Sequence, residues 1–416
     1  MQNIKILSNV FYMDVIMKKL LIKFSLSLQY SPGSVGVFYI SDVYGPQFHR
    51  WLPDGERDAI FLDTNDPNAT LKIWFERCGY VEGNQIIYKE NKRDVPKDLL
   101  NDWGRLNGGN LFGLLEIDNI SNDLVESLSK KSPNCAGQYI ALEKRIIKLF
   151  YPAVRNFLDI LKTYFGQYWL ADIEEWDSRI ESASSYLNAN GFPHWSIDGG
   201  KTWEILKSGP LVGRVQTVRA GRNFSAFINE KDWQVIKELA ENNHQAPLAL
   251  LILSKAIMYY DTGNIRFALI YSVIALDLAI DNSFKSLLSD INFEDEINSM
   301  TLMSRIAISL SVCDISNVQN HDEIILKFIK AFKNLKMFKK LRVLEGLLSI
   351  PEETFQSCKE IVDLRNNCVV HDVRELPDDI SEDFIKFLQT FQFLFPNQKL
   401  KFPFPNPGNV FYESSD

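Results

Sequence analysis

Leu364-Arg365-Asn366-Asn367-Cys368-Val369-Val370-His371-Asp372 closes a helix that the apolar spacing predicts from Glu352. Polar and β-branched residues replace the helical period there, so the helix is expected to end near Asn366 and the chain to turn at His371. Upstream, Ala268-Leu-Ile-Tyr-Ser-Val-Ile-Ala-Leu-Asp277-Leu-Ala-Ile280 is apolar almost all round, with one embedded acid. Such a segment needs partners on several sides. Working outward from these two stretches, nearly everything after Asn229 reads as helix. Asn229 is a suitable N-cap for a helix starting at Glu230. Ala246–Tyr260 and Asn264–Asp281, joined by Asp-Thr-Gly, read as an antiparallel helix pair. Further helices are expected over Ser299–Val312, Glu323–Leu348, Glu352–Asn366 and Ser381–Phe395.

The first third has a different period. Lys23–Tyr30 alternates apolar and polar residues, and Val35–Ile40, Ala59–Leu62, Thr70–Phe75, Gln85–Tyr88 and Leu111–Ile117 are β-type runs between Gly, Pro and Asn turns. From Gln138, apolar residues through Phe165 return to helical spacing, and a second helix is expected over Trp176–Leu187. The chain therefore reads as a multidomain α+β protein. It has a β-rich N-terminal module (1–130), a mixed middle module (137–225), an all-helical domain (229–396) and a Pro-rich tail (397–416).

A formal net charge of -8 sets this chain apart from proteins that coat nucleic acid, so any such contact must be local. The five cysteines form no C-x-x-C pair and the five histidines are scattered. Free thiols in a reducing compartment are expected, with no metal site. Met17-Lys-Lys-Leu-Leu-Ile resembles the start of a signal peptide, but Lys23 interrupts it and β-type alternation follows. The apolar runs near Leu248–Ile252 and Phe267–Ile280 read as too short or interrupted to span a bilayer. A cytoplasmic protein without membrane contact is expected. Asn107-Gly-Gly-Asn110 lacks the Gly-Lys-Ser/Thr ending of a phosphate loop and reads as a turn.

Arg365 and His371 suit phosphodiester chemistry. Histidine titrates near neutrality and can move the proton of a 2′-hydroxyl. Arginine presents a fixed fork of donors to phosphate oxygens. Six helical residues place the two about 120° apart, so the helix must end for them to converge. The same residues also have a structural reading, with Arg365 paired to Asp277 or Asp363 and His371 at a helix end. The Arg-x5-His pattern with Asn366, and the apolar helix carrying Asp277 before it, resemble the HEPN superfamily, in particular its ApeA-like branch linked to phage defence. The resemblance covers the C-terminal two-fifths. It implies a helical bundle, a homodimer whose two motifs line one cleft, and a metal-independent endoribonuclease, a toxin or defence effector, that needs no cofactor. In that reading Arg365 stabilises phosphate charge, His371 is general acid and base, Asn366 positions the phosphate or the arginine, and Asp277 orients Arg365. The alternative within the family is a non-catalytic scaffold that dimerises or holds a partner.

Two further patterns stand out. Between Lys327 and Arg342, lysines recur about every third residue with Phe328, Phe332, Leu335 and Phe338 between them. On one helix this makes a basic face beside an apolar one. Lys330, Lys333, Lys336 and Lys340 are candidate RNA contacts, a membrane is another partner for such a face, and a solvated face is the structural alternative. Ser196-Ile-Asp198-Gly-Gly200-Lys-Thr202-Trp203 matches the Asp-box of β-propellers, where it is a structural turn; a β-hairpin is expected, with a glycan-binding or glycosidase site as the alternative.

Overall fold

The computed structural model describes residues 18–27, 47–49, 53, 55–75, 79–82, 85–88, 105–107, 110–121, 124, 136–168, 170, 194–205, 228–289, 296–310, 321–370, 375–377 and 379–402. The expected strand Val35–Ile40, the helix Trp176–Leu187, most of the tail, and His371 lie outside them. The protein is mixed α+β, with an antiparallel sheet drawn mostly from the N-terminal part and helices concentrated after residue 228.

The alternation that predicts a strand near Lys23 begins earlier, at Lys18. Strand β1 (Lys18–Ser27) buries Leu20, Ile22 and Phe24 on one face and exposes Lys19 and Lys23 on the other. The remaining strands are β2 (Gln47–His49), β3 (Ile60–Leu62), β4 (Ala69–Phe75), β5 (Gly79–Glu82), β6 (Gln85–Tyr88), β7 (Arg105–Asn107), β8 (Asn110–Ile120), β9 (His194–Ser196) and β10 (Glu204–Ile205). Six of them form one sheet in the order β10-β9-β1-β8-β4-β3, and β2–β7 and β5–β6 form two small ribbons. Ile22 lies opposite Leu115, and Leu115 opposite Leu71, so one apolar row runs across three strands. β9 pairs with β1 through Trp195 and Ile22. The region expected as a middle module thus contributes two strands to the N-terminal sheet.

Helix α1 (Ala136–Tyr164) covers this row. Phe150 meets the Phe24 ring edge-on at 4.6 Å, and Phe157 lies 6.1 Å from Phe75. Its other side packs on α2 (Glu230–Glu241) and α3 (Leu248–Asp261). Asn229 caps α2 in a reciprocal box: its side chain accepts from the Asp232 N–H at 2.9 Å, and the Asp232 carboxylate accepts from the Asn229 N–H at 2.9 Å. Trp233, on the first turns of α2, is buried against Phe75 and donates its indole N–H to the Asp58 carbonyl at 3.3 Å.

α3 and α4 (Ile265–Ser289) form the expected antiparallel pair, turned by Thr262-Gly263-Asn264 with Gly263 at φ +75°. α4 runs farther than Asp281 because Phe284 and Leu288 are buried, Phe284 stacking on Phe332 at 3.8 Å. At 25 residues, and with mean hydropathy 1.5 over its most apolar window, α4 is long and apolar enough to cross a membrane, contrary to the expectation for this run; 56% of that window is buried inside the fold. α5 (Glu296–Ser309) follows. The single helix expected over Glu323–Leu348 is two, α6 (His321–Lys333) and α7 (Met337–Leu348), broken at Asn334–Lys336, where the Leu335 N–H turns back to the Phe332 carbonyl. α8 (Glu352–Leu364) packs on α4 and on α9 (Ser381–Leu394).

Candidate functional site

α8 is helical because Phe355, Cys358, Ile361, Val362 and Leu364 recur at three- and four-residue intervals and are buried. Its polar core contacts are satisfied from α9: Ser357 donates to the Asp383 carboxylate at 3.0 Å, and Cys358 Sγ lies 2.9 Å from Thr390 Oγ1. Burial pushes the Cys358 thiol up to about 12, which keeps it protonated and inert.

The helix does not stop at Leu364. Arg365 keeps helical angles, and over Arg365–Val370 the backbone widens into a π-helical stretch that packs against α4. Cys368 anchors it, buried and directed at the Glu375 carbonyl at 3.5 Å. Arg365 is half-buried, and its Nε is buried with no hydrogen-bond partner. Asn366 and Asn367 are half-buried and Val370 is exposed. Arg365 and Asn366 therefore sit together on the widened turn that leads to His371.

Asp277 is placed differently from its expected role. It is exposed on α4 and makes no ion pair or hydrogen bond among the described residues, so within the chain it does not orient Arg365. An embedded acid in an apolar helix reads as buried, whereas this one lies on an outward face. Lys340 is the second correction. It is buried, with Nζ 2.9 Å from the Asp281 carboxylate, and is not part of an exposed basic face. The break at Asn334–Lys336 changes the helical phase and turns this lysine inward. Lys330, Lys333 and Lys336 are exposed, as is Lys339, and none has an anionic partner among the described residues. Phe328 and Phe332 are buried and belong to the core, whereas Phe338 is half-buried.

Beside α8 an open groove of about 620 Å³ is lined by Glu353, Glu360, Asp363 and Asp383 with Lys359 and Lys386. Its net negative charge does not suit a phosphate. The Asp-box pattern forms the turn between β9 and β10. Asp198 accepts from the Lys201 and Thr202 N–H groups at 2.9 and 3.0 Å and from the Ser196 hydroxyl at 2.7 Å. Hydrogen bonds from Thr202 and Ser196 hold the Asp198 carboxyl well below its ordinary range. Gly199 and Gly200 take φ of +74° and +85°, and Trp203 packs under Gly200 with Lys23 4.2 Å above its ring. The side chains of Ser196, Asp198 and Thr202 are bonded to one another and to the backbone of the turn, which makes it a structural hairpin. Among the described residues no group of three His, Cys, Asp or Glu side chains is arranged to hold a metal ion. No protein-family model, curated protein or solved structure matches the chain.

Proposed function

We propose that the chain is a metal-independent endoribonuclease of HEPN type, a toxin or phage-defence effector acting on RNA in the cytoplasm as a homodimer. One observation carries this reading: the α-to-π transition begins at Arg365, the first residue of the motif, where the guanidinium Nε is buried without an acceptor. π turns within α-helices concentrate at functional sites. A buried, unpaired donor on a charged group calls for a reason, and a phosphate oxygen would supply the missing acceptor once the half-buried Arg365 side chain turns outward to meet it. Arg365 then stabilises the charge of the pentacovalent transition state, and Asn366 beside it positions the phosphate. His371 takes the proton of the 2′-hydroxyl as its oxygen attacks phosphorus, and a second histidine, from the other copy, protonates the departing 5′-oxygen. The product is a 2′,3′-cyclic phosphate.

The scaffold reading draws support from the acidic groove beside α8 and from the separation of Asp277 and Arg365. RNA cleavage by wild type, His371→Ala and Arg365→Ala, in the presence of EDTA, decides between the two. The nuclease reading expects cyclic-phosphate ends from wild type and a loss of about 10²–10⁴-fold in the histidine variant. A folded wild-type dimer that cleaves no RNA leaves the scaffold.

A further inference from the structure

α4 carries an apolar outer face that remains exposed among the described residues. Phe267 and Ile274 are 49% and 45% exposed, and Ile270 between them is half-buried. Tyr259 of α3 holds the edge of this face rigid by stacking on Phe267 at 5.3 Å and on Tyr271 at 5.2 Å. A helix that is apolar on its inner and outer sides is built to be covered on both.

Charges bound the face. Arg266 and Asp277 are both exposed. Eleven residues is close to three full turns, so they point the same way at opposite ends of the patch, roughly 16 Å apart along the axis. Asp277 has no partner among the described residues. A face with a positive end, an apolar middle and a negative end is complementary to itself in antiparallel alignment. A two-fold axis near residue 271 would set Phe267 against Ile274 of the other copy and Arg266 against its Asp277. That is the requirement for an isologous contact. A bilayer would meet an unneutralised carboxylate at one end of the same face.

We infer that a second copy of this chain docks on the outer face of α4, with Arg266 and Asp277 paired reciprocally across a two-fold axis. The inference takes the dimer from the function proposed above and assigns its surface. It also gives Asp277 a role between chains in place of the expected one within the site.

Sedimentation of the full-length protein at tens of micromolar tests it, with circular dichroism as the folding control. Wild type is expected to be a dimer and Ile274→Glu a folded monomer. Asp277→Arg places like charges across the axis and is expected to weaken the dimer by about tenfold or more. Adding Arg266→Glu is expected to restore it, an outcome that misfolding cannot mimic. A monomeric wild type overturns the inference, and binding of that monomer to anionic vesicles would assign the face to a bilayer. A dimer indifferent to Ile274→Glu, or a charge swap that fails to restore the Asp277→Arg dimer, also overturns it. Dimerisation is read without RNA, so a dimer that cleaves nothing defeats the nuclease reading alone, and cleavage by a dimer that survives Ile274→Glu defeats this inference alone.

Discussion

Gly113 sits in the middle of β8 opposite Phe24, and a Cβ there would lie 2.0 Å from the tip of the Phe24 ring. The glycine lets the ring lie across the strand and present its face to the edge of Phe150. Gly113→Ala must push the ring off that position. The expected cost is roughly 1–3 kcal/mol from overpacking, larger than the ~0.4–1 kcal/mol gained by stiffening the unfolded chain. It is measured as a lower denaturation midpoint, and Phe24→Leu in the same background should recover part of the loss, since the two positions are coupled. A Gly113→Ala protein as stable as wild type would mean that the sheet relaxes around the ring. This fit was not legible in the sequence, because glycine and phenylalanine lie 89 positions apart and nothing local announces the pairing. Asp277 was illegible for a different reason. α4 is apolar all round, so there is no polar stripe from which to phase its outward side. Arg365 was legible only in part: the loss of the apolar period marks the end of the regular α-helix, but the π-helical continuation to Val370 has no sequence signal of its own.

At the scale of elements, periodicity carried most of the helices, and it failed where a break preserves composition. Lysines continue every third residue through Asn334–Lys336, so the sequence looks like one helix while the backbone makes two. The consequence is a division of labour among the lysines. Lys330, Lys333 and Lys336 are exposed and have no anionic partner among the described residues, and Phe328 and Phe332 beside them are buried, so this face offers mainly charge. Lys330→Gln, Lys333→Gln and Lys336→Gln together should weaken binding of single-stranded RNA. The slope of log affinity against log salt should flatten by about 2, near 0.7 for each phosphate contact. Melting should barely move, since exposed lysines add little to folding. Lys340→Gln is the internal contrast. It breaks a pair with Asp281 in which the lysine is buried and the carboxylate a third exposed. Its cost should fall between the ~0–1 kcal/mol of a surface pair and the ~3–5 kcal/mol of a buried one. RNA affinity that keeps its salt slope in the triple variant would leave this face as solvated surface.

Over the whole molecule, the hydrophobic interior is one continuous cluster from Leu20 on β1 to Leu400 after α9. α1 and α2 are its bridge. Arg145 on α1 pairs with Asp66 beside the sheet at 2.9 Å, and Tyr164 at the end of α1 meets His244 after α2 at 2.8 Å. Lys401 returns from the C-terminal end to Asp232 on α2 at 2.5 Å. These contacts join segments that the change of period from strand to helix presents as separate, and they lie too far apart in sequence for any local pattern to carry them. Trp233 is the residue on which the junction turns, because it is 1% exposed and touches Phe75 of the sheet while riding on the first helix of the bundle. Its replacement by alanine removes a large buried ring and also leaves the Asp58 carbonyl without the indole N–H. A loss of roughly 3–5 kcal/mol is expected. The informative readout is how that loss is distributed. If the sheet and the helices share one core, near-ultraviolet signals of the sheet tryptophans and far-ultraviolet helicity must fall together, at a single lowered midpoint in both proteins. If Trp233→Ala instead splits the transition, with the helices melting at the wild-type midpoint while the sheet melts early, the continuous cluster is two cores in contact and Trp233 belongs energetically to the sheet alone.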